Sequence, residues 1–345
     1  MLLALAGGAA ARAAGLPLPW MLGSLIAAAG WAMALPAGSR WVPPFPGGVR
    51  SLCVGVIGVM VGGTFTPGLM GQAGGWWLTL LAMAGVSLAM QLAGYGWLRR
   101  GMGYDRPTAW FSASPGGFVE SIAMGEAHGG DLRIVSTLQF LRIVIIVLGL
   151  PLAYSLWAGG PVGSAAGTRP GDGTPLDAQE AALLLACLVL GQIAWKLLRI
   201  PAGAVVGPML VSAAAHGTGL IHGQVPPELV AVAQWIMGAS LGLRFAGLPR
   251  RRLVQAVAAA LVQMALCAVV LALAMVLVQP LTEVPAEVLI LAFSPGGVVE
   301  MGLIALSIGA NPVFVTVHHV FRIMVAVVLL PQIYTRRIAP GAPEG

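Results

Sequence analysis

The sequence predicts an all-α polytopic membrane protein made of two inverted-topology repeats, with about ten transmembrane helices plus two broken or re-entrant Ser-Pro-Gly-Gly helices. Three observations carry this. First, 58% of the 345 residues are hydrophobic and only 9% charged, whereas a soluble domain carries roughly a quarter charged residues. Second, Ser114-Pro115-Gly116-Gly117-Phe118-Val119-Glu120 returns 180 positions later as Ser294-Pro295-Gly296-Gly297-Val298-Val299-Glu300. Third, the arginines flank equivalent apolar runs at opposite ends in the two copies.

The repeat extends well beyond the motif. At the same offset Gly58, Gly62 and Phe65 fall on Gly238, Gly242 and Phe245, and Asp131, Arg142, Pro151 and Tyr154 fall on Asn311, Arg322, Pro331 and Tyr334. This is a duplicated unit of about 170 residues. It divides the chain into a first membrane repeat (1–157), a hydrophilic linker rich in Gly, Pro and Asp (158–179) and a second membrane repeat (180–336).

In chain order, Met1 to Ala14 is apolar but would be only about 21 Å long as a helix, less than the roughly 30 Å hydrocarbon thickness. An offset of 184 places Arg12 on Lys196, Pro17 on Pro201 and Gly23 on Gly207, so this run reads as a clipped copy of Ala181 to Leu198 rather than a signal peptide. Apolar runs follow at Leu16–Leu35, Ser51–Phe65 and Trp76–Leu98, separated by turns such as Val42 to Gly48. The broken run Thr108–Gly125 and the long run Ile134–Trp157 complete the first copy. The second repeats the order at Ala181–Leu198, Ala202–Leu220, Leu229–Phe245, Leu253–Val278, Ala286–Ile308 and Pro312–Tyr334.

Short cytoplasmic loops are enriched in Lys and Arg. The fourth run of the first copy is followed by Arg99, Arg100 and Arg106, and its counterpart is preceded by Arg250 to Arg252. The same helix therefore runs in opposite directions in the two copies. If each broken run enters and leaves on one side, Arg40, Arg50, Arg99 to Arg106, Lys196, Arg199, Arg250 to Arg252, Arg336 and Arg337 all face the cytoplasm, and only Arg12 is out of place. The alternative, in which the broken run crosses as two half-helices and the first run of each copy does not span, puts Arg336 and Arg337 outside. The net charge of +6 belongs to these topology signals and forms no basic face for nucleic acid.

Proline lacks an amide donor and glycine weakens a helix by about 1 kcal/mol relative to alanine, so Ser-Pro-Gly-Gly unwinds the segment that contains it. Unwound backbone at membrane depth must be buried in protein or line a wet cavity. The motif also suits a helix start: Ser114 can cap, Pro115 fits the first turn, and the glycine amides lie open to an anion at the positive end of the helix dipole. Glu120 and Glu300 follow each motif, and Arg142 and Arg322 lie within the next apolar run. A charge there costs at least about 2.5 kcal/mol unless paired or solvated. Two readings stand side by side. Glu120 with Arg142, and Glu300 with Arg322, form ion pairs that only lock each hairpin; or the arginines and helix ends hold an anionic substrate while a glutamate binds a proton or helps coordinate Na⁺.

His318-His319 occupies the place of Leu138-Gln139 and lacks a third ligand for a metal, though a histidine near an arginine can relay protons. Gln91, Gln192, Gln234, Gln255 and Gln263 read as interhelical hydrogen-bond partners. His128, His216 and His222 read as interfacial packing, and Cys53, Cys187 and Cys267 as small hydrophobes.

The duplicated unit, with Ser-Pro-Gly-Gly-x-x-Glu, an arginine in the next helix and a proline ending it, resembles the bacterial AbrB-type integral membrane protein family, known for an internal AbrB duplication. The resemblance covers nearly the whole chain. That family carries labels of transcriptional regulator and ammonia monooxygenase, and it is similar to the cation:proton antiporter and anion transporter group, with inverted repeats and broken helices in a movable core domain. The resemblance implies that Ser114 to Glu120 and Ser294 to Glu300 line a transport site.

The residues weigh against both labels. No His/Cys/carboxylate cluster or phosphate-binding loop supports a monooxygenase, and no soluble basic stretch supports DNA binding, so a regulatory effect would be indirect. The expectation is a non-enzymatic secondary transporter of a small anionic metabolite in the bacterial inner membrane, with no cofactor beyond H⁺ or Na⁺ as coupling ion. A channel for a small solute is the alternative. Its partners would be the lipid bilayer and the substrate, and a homodimer is compatible with the sequence but not specified by it.

Overall fold

The computed structural model describes residues 1–16, 18–35, 39, 46–65, 73–158, 176–198, 203–246 and 250–338. Arg40 and Arg199 lie outside them, as do most of the 158–179 linker, of the turn Val42 to Gly48 and of the loop Thr66 to Gly75. The described residues are helical throughout their ordered elements. The first copy forms α1 (Leu2–Ala13), α2 (Pro19–Ala34), α3 (Gly47–Gly62), α4 (Trp77–Gly96), α5 (Arg106–Ala113), α6 (Phe118–Ala127) and α7 (Leu132–Ala158). The second forms α8 (Ala178–Leu198), α9 (Gly203–Gly217), α10 (Pro227–Gly242), α11 (Arg250–Val278), α12 (Ala286–Phe293), α13 (Val298–Ser307) and α14 (Pro312–Ile333). The bounds of α3, α5 and α6 recur 180 residues later in α10, α12 and α13. Each broken run is thus two short helices around the Ser-Pro-Gly-Gly turn.

Among the described residues, five stretches are long and apolar enough to cross a membrane: Trp77–Gly101, Leu132–Leu156, Ala178–Leu198, Leu253–Leu281 and Pro312–Ile338. Helix α8 leaves Leu197 77% exposed and α11 leaves Val276 73% exposed, along with Leu185, Ile193, Leu261 and Leu273. Apolar surface on this scale along whole helices is what hydrocarbon, not water, would cover. Helices α2, α3, α9 and α10 are apolar but shorter, about 24 Å for the sixteen residues of α2, α3 and α10 and slightly less for the fifteen of α9.

The chain packs as two compact units, and each draws on both copies. One consists of Met1–Gln72, Leu148–Pro249 and Val299–Val313. In it α2 lies against α10 and α9 lies against α3, an exchange of equivalent elements. Glycine sets the spacing. A Cβ added at Gly58 would fall within 3.0 Å of the Val205 carbonyl, and one added at Gly238 within 3.0 Å of the Met21 carbonyl; residues 205 and 21 are themselves equivalent at the 184 offset. In lipid, such close backbone contact supplies the van der Waals attraction that holds helices together.

The other unit consists of Ala73–Val147, Arg250–Val298 and Phe314–Gly345. Here α4 packs against α11 and α5. Trp110 and Phe111 on α5, Val135 on α7, and Ala326, Leu330 and Tyr334 at the end of the chain form its aromatic core. The first broken run closes on itself. The Asp131 amide donates to the Thr108 hydroxyl at 2.8 Å, and Gly130 lies against Pro107 and Thr108. The segment therefore leaves beside the point where it enters, which is a hairpin and not a kinked straight rod.

Candidate functional site

The second unit gathers Ser114 to Gly117, Glu120, Arg142, Ser294 to Gly297 and Arg322, whereas Glu300 lies in the first. Ser114, Pro115, Gly116, Gly117, Ser294, Pro295 and Gly296 are buried, and Gly297 is half-buried.

The motif ends one helix as much as it begins the next. Ser114 is the C-cap of α5, and Gly117, in the left-handed region at φ +68°, is the N-cap of α6. Ser114 does not cap α6: its hydroxyl donates to the Gly116 carbonyl at 2.9 Å, and the Ser294 hydroxyl donates to Ile290 at 2.6 Å. Nor are all the glycine amides open, since that of Gly296 donates to the Ser294 carbonyl at 2.8 Å. Proline at position 115 and the left-handed glycine stop the ladder, so the carbonyls of the last turn of α5 must find partners elsewhere.

Side chains from three other helices supply them. Gln91 on α4 donates to Trp110, and Gln139 on α7 to Phe111, both at 2.8 Å. Gln263 on α11 reaches Ser112 and Ala113 at 3.4 Å, and Gln139 and Arg142 both donate to Ser114. In the second copy His319 donates from Nε2 to Leu291 at 2.9 Å, while Arg322 donates to the carbonyls of Ser294 and Gly296. Gln139 and His319 are equivalent positions doing equivalent work. Gln91 and Gln263 are the interhelical partners their sequence setting suggested, as is Gln192, which donates to Ser51 at 3.1 Å in the first unit. His128 packs between Phe111 and Tyr334.

Both arginines are interior, Arg142 at 4% and Arg322 at 1% exposure. Each repeats the same contact, guanidinium to the serine carbonyl of its own copy, and each keeps its Nε buried with no hydrogen-bond partner among the described residues. The copies also touch each other. A Cβ added at Gly116 would lie 3.5 Å from the Arg322 Nε and 3.5 Å from the Ile323 Cα. Arg142 and Arg322 repel one another, and Cys267 on α11 lies within electrostatic reach of both. Cys267 is thus a neighbour of the charged centre, a role that its apolar sequence context concealed.

The carboxylates part company. Glu120 is half-buried and folds over its own cap, with Oε2 3.1 Å from where a Cβ on Gly117 would stand. Glu300 is buried, and its electrostatic partner is Arg50 on α3, which in turn faces Arg244. The equivalence of the two acids in sequence therefore ends in two different environments. His318 and His319 also diverge: His318 holds the Phe314 carbonyl at 2.7 Å and the Thr79 hydroxyl at 2.9 Å, away from the Leu291 carbonyl that His319 holds.

Comparison with known proteins agrees on one family. The profile described as "Transition state regulatory protein AbrB" matches residues 2–337. A Bacillus subtilis 168 protein named YhjN is 27% identical over 354 residues, covering 95% of this chain and 90% of its own length. An Escherichia coli K12 protein named "Putative regulator AbrB" is 29% identical over 191 residues, 55% of this chain and 54% of its own. No solved structure matches the chain.

Proposed function

The chain belongs to the AbrB family, and from that premise we propose that it is a multi-pass inner-membrane secondary transporter of a small anionic metabolite, coupled to H⁺ or Na⁺. The observation that carries the reading is the meeting of Gly116 with Arg322. A side-chain-free turn from one copy stands against an unpartnered buried guanidinium nitrogen from the other. Two buried, mutually repelling cations are costly in a bilayer interior, and an anion between the glycine turns would offset both desolvation and repulsion.

The exchange of α2 with α10 and α9 with α3 supports a two-fold relation between the repeats, and with the arginine pattern it favours an inverted one. The hairpin of the first broken run favours re-entry over crossing. Glu300, buried and facing Arg50 in the first unit, and Glu120, beside the first turn in the second, are proposed as alternative ligands of a coupling Na⁺, each within its own unit. The regulatory names of the family profile and of the Escherichia coli relative fit this chain through an indirect effect, exerted by the solute it moves.

The test is a thermal-shift screen of the purified protein against organic acids and amino acids at two pH values, with and without Na⁺, followed by uptake into proteoliposomes. A stabilising acid should lose its effect in Arg322→Lys and weaken in Gly116→Ala, whose added methyl makes only ordinary contacts with the fold but occupies the face turned to Arg322. Saturable uptake that collapses with the ion gradient supports a carrier, and unsaturable, gradient-independent flux would replace it with a channel.

A further inference from the structure

The hydrogen bonds around His319 fix its tautomer. A carbonyl oxygen only accepts, so Nε2 carries the proton that goes to Leu291. The other nitrogen, Nδ1, lies 3.0 Å from Arg322 Nη2, which has no lone pair to offer, so Nδ1 accepts from it. His319 is therefore the neutral Nε2–H tautomer, and Arg322 occupies the one nitrogen that could be protonated. The Gly296 carbonyl is also a partner of Arg322 Nη2.

The geometry points to His319 as the proton-binding group of the anion site: an oxyanion that draws Arg322 Nη2 away exposes Nδ1, which takes one proton from water, so anion and proton bind together. The proposal rests on the anion-transport reading above. When Nδ1 is protonated it becomes a donor and no longer accepts from Arg322. Arg322 then has Nη2 as well as Nε free to donate to the oxyanion. No bond to carbon changes and no electron moves; one proton passes from water to a ring nitrogen. An arriving monoanion and this proton add no net charge to the interior, so the anion is compensated within the site and its pairing offsets part of the desolvation cost.

Among the described residues, the charged and titratable groups acting on His319 are Arg322 and His318 on its own helix, and α12 and the turn bring the carbonyls of Leu291 and Gly296. Beyond Arg322 stand Arg142 on α7 and Cys267 on α11. With Arg322 pointing at the ring, the proton is opposed until an anion occupies the guanidinium. Copy one cannot do this, because Gln139 reaches the equivalent carbonyl but has no site for a proton. Hence one proton accompanies each anion.

The experiment is ¹⁵N NMR of the purified, histidine-labelled full chain, with the His319 signals assigned by their loss in His319→Gln, which installs the residue used by the first copy. Without added anion, His319 should show the Nε2–H tautomer; an Nδ1–H tautomer or an imidazolium there overturns the proposal. Formate, acetate, succinate, glutamate and phosphate are then added in turn, with binding read by thermal shift and proton uptake by a pH indicator in weak buffer. A bound anion should convert His319 to imidazolium with one proton taken up, and the uptake should vanish in His319→Gln. Binding that leaves His319 neutral overturns the proton assignment while sparing the anion reading. If none of the anions binds, that reading falls and the proton assignment falls with it.

Discussion

At the level of single residues, the site is a problem of unpaired carbonyls. The Ser-Pro-Gly-Gly break strips the last turn of α5 of its intrahelical donors, and Gln91, Gln139, Gln263 and Arg142 replace them. Gln139→Leu should lower stability by about 1–3 kcal/mol by leaving buried acceptors unmet. Gln139→His should come close to wild type, because His319 already performs that bond in the other copy; thermal unfolding in detergent separates the two. Gly117→Ala should cost about 1–2 kcal/mol, since alanine is strained at φ +68° and its methyl would crowd Glu120. A variant as stable as wild type would show that the α6 cap relaxes. The serine, proline, glycines and arginines were legible as candidates because each is anomalous inside an apolar run. Gln139 and Cys267 were not, since one glutamine or thiol among many in a membrane helix carries no mark of what it faces.

At the level of elements, the break points could be read and the fold-back could not. Pro and Gly announce where α5 and α12 stop, but it takes the contacts of Asp131 and Gly130 with Thr108 and Pro107 to show that the first broken run returns to its own entrance. The contact of Asp131 with Thr108 joins a loop amide to a helix-start hydroxyl, and nothing in their spacing distinguishes it from chance. Thr108→Val should therefore loosen the hairpin, raising hydrogen exchange at the Asp131 amide above that of wild type. The close approach of α3 to α9 and of α10 to α2 was not legible, since the sequence marks Gly58 and Gly238 only as equivalent positions of the repeat. Gly238→Leu sets a side chain against the Met21 backbone, and Gly58→Leu sets one against Val205. Each should lower stability by about 1–3 kcal/mol through overpacking. Gly30→Leu, where an added Cβ meets open space, should not. Equal effects at all three positions would mean that glycine acts there through helix propensity and not through contact.

At the level of the whole molecule, the repeat and the packing unit are different divisions of the chain. The 180-residue offset is written in the sequence, yet each compact unit is assembled from pieces of both copies, as the pairing of α4 with α11 and of α2 with α10 illustrates. Which surfaces exchange partners depends on shape complementarity that residue spacing does not encode. Orientation in the bilayer, by contrast, follows from charge, and it can be checked directly. In a background with Cys53, Cys187 and Cys267 replaced, single cysteines at Gly103 and Thr335 should react with a membrane-impermeant thiol reagent only after the cells are opened. Cysteines at Gly75 and Glu283 should react in intact cells. The four positions flank α4, α11 and the chain end, so the pattern requires α4 and α11 to run in opposite directions. Labelling of Gly103 and Glu283 from the same side would make the repeats parallel. Two helix breaks related by a parallel duplication would both open toward one face of the membrane, and the proposed meeting of their turns around a single anion at mid-depth would lose its geometric basis.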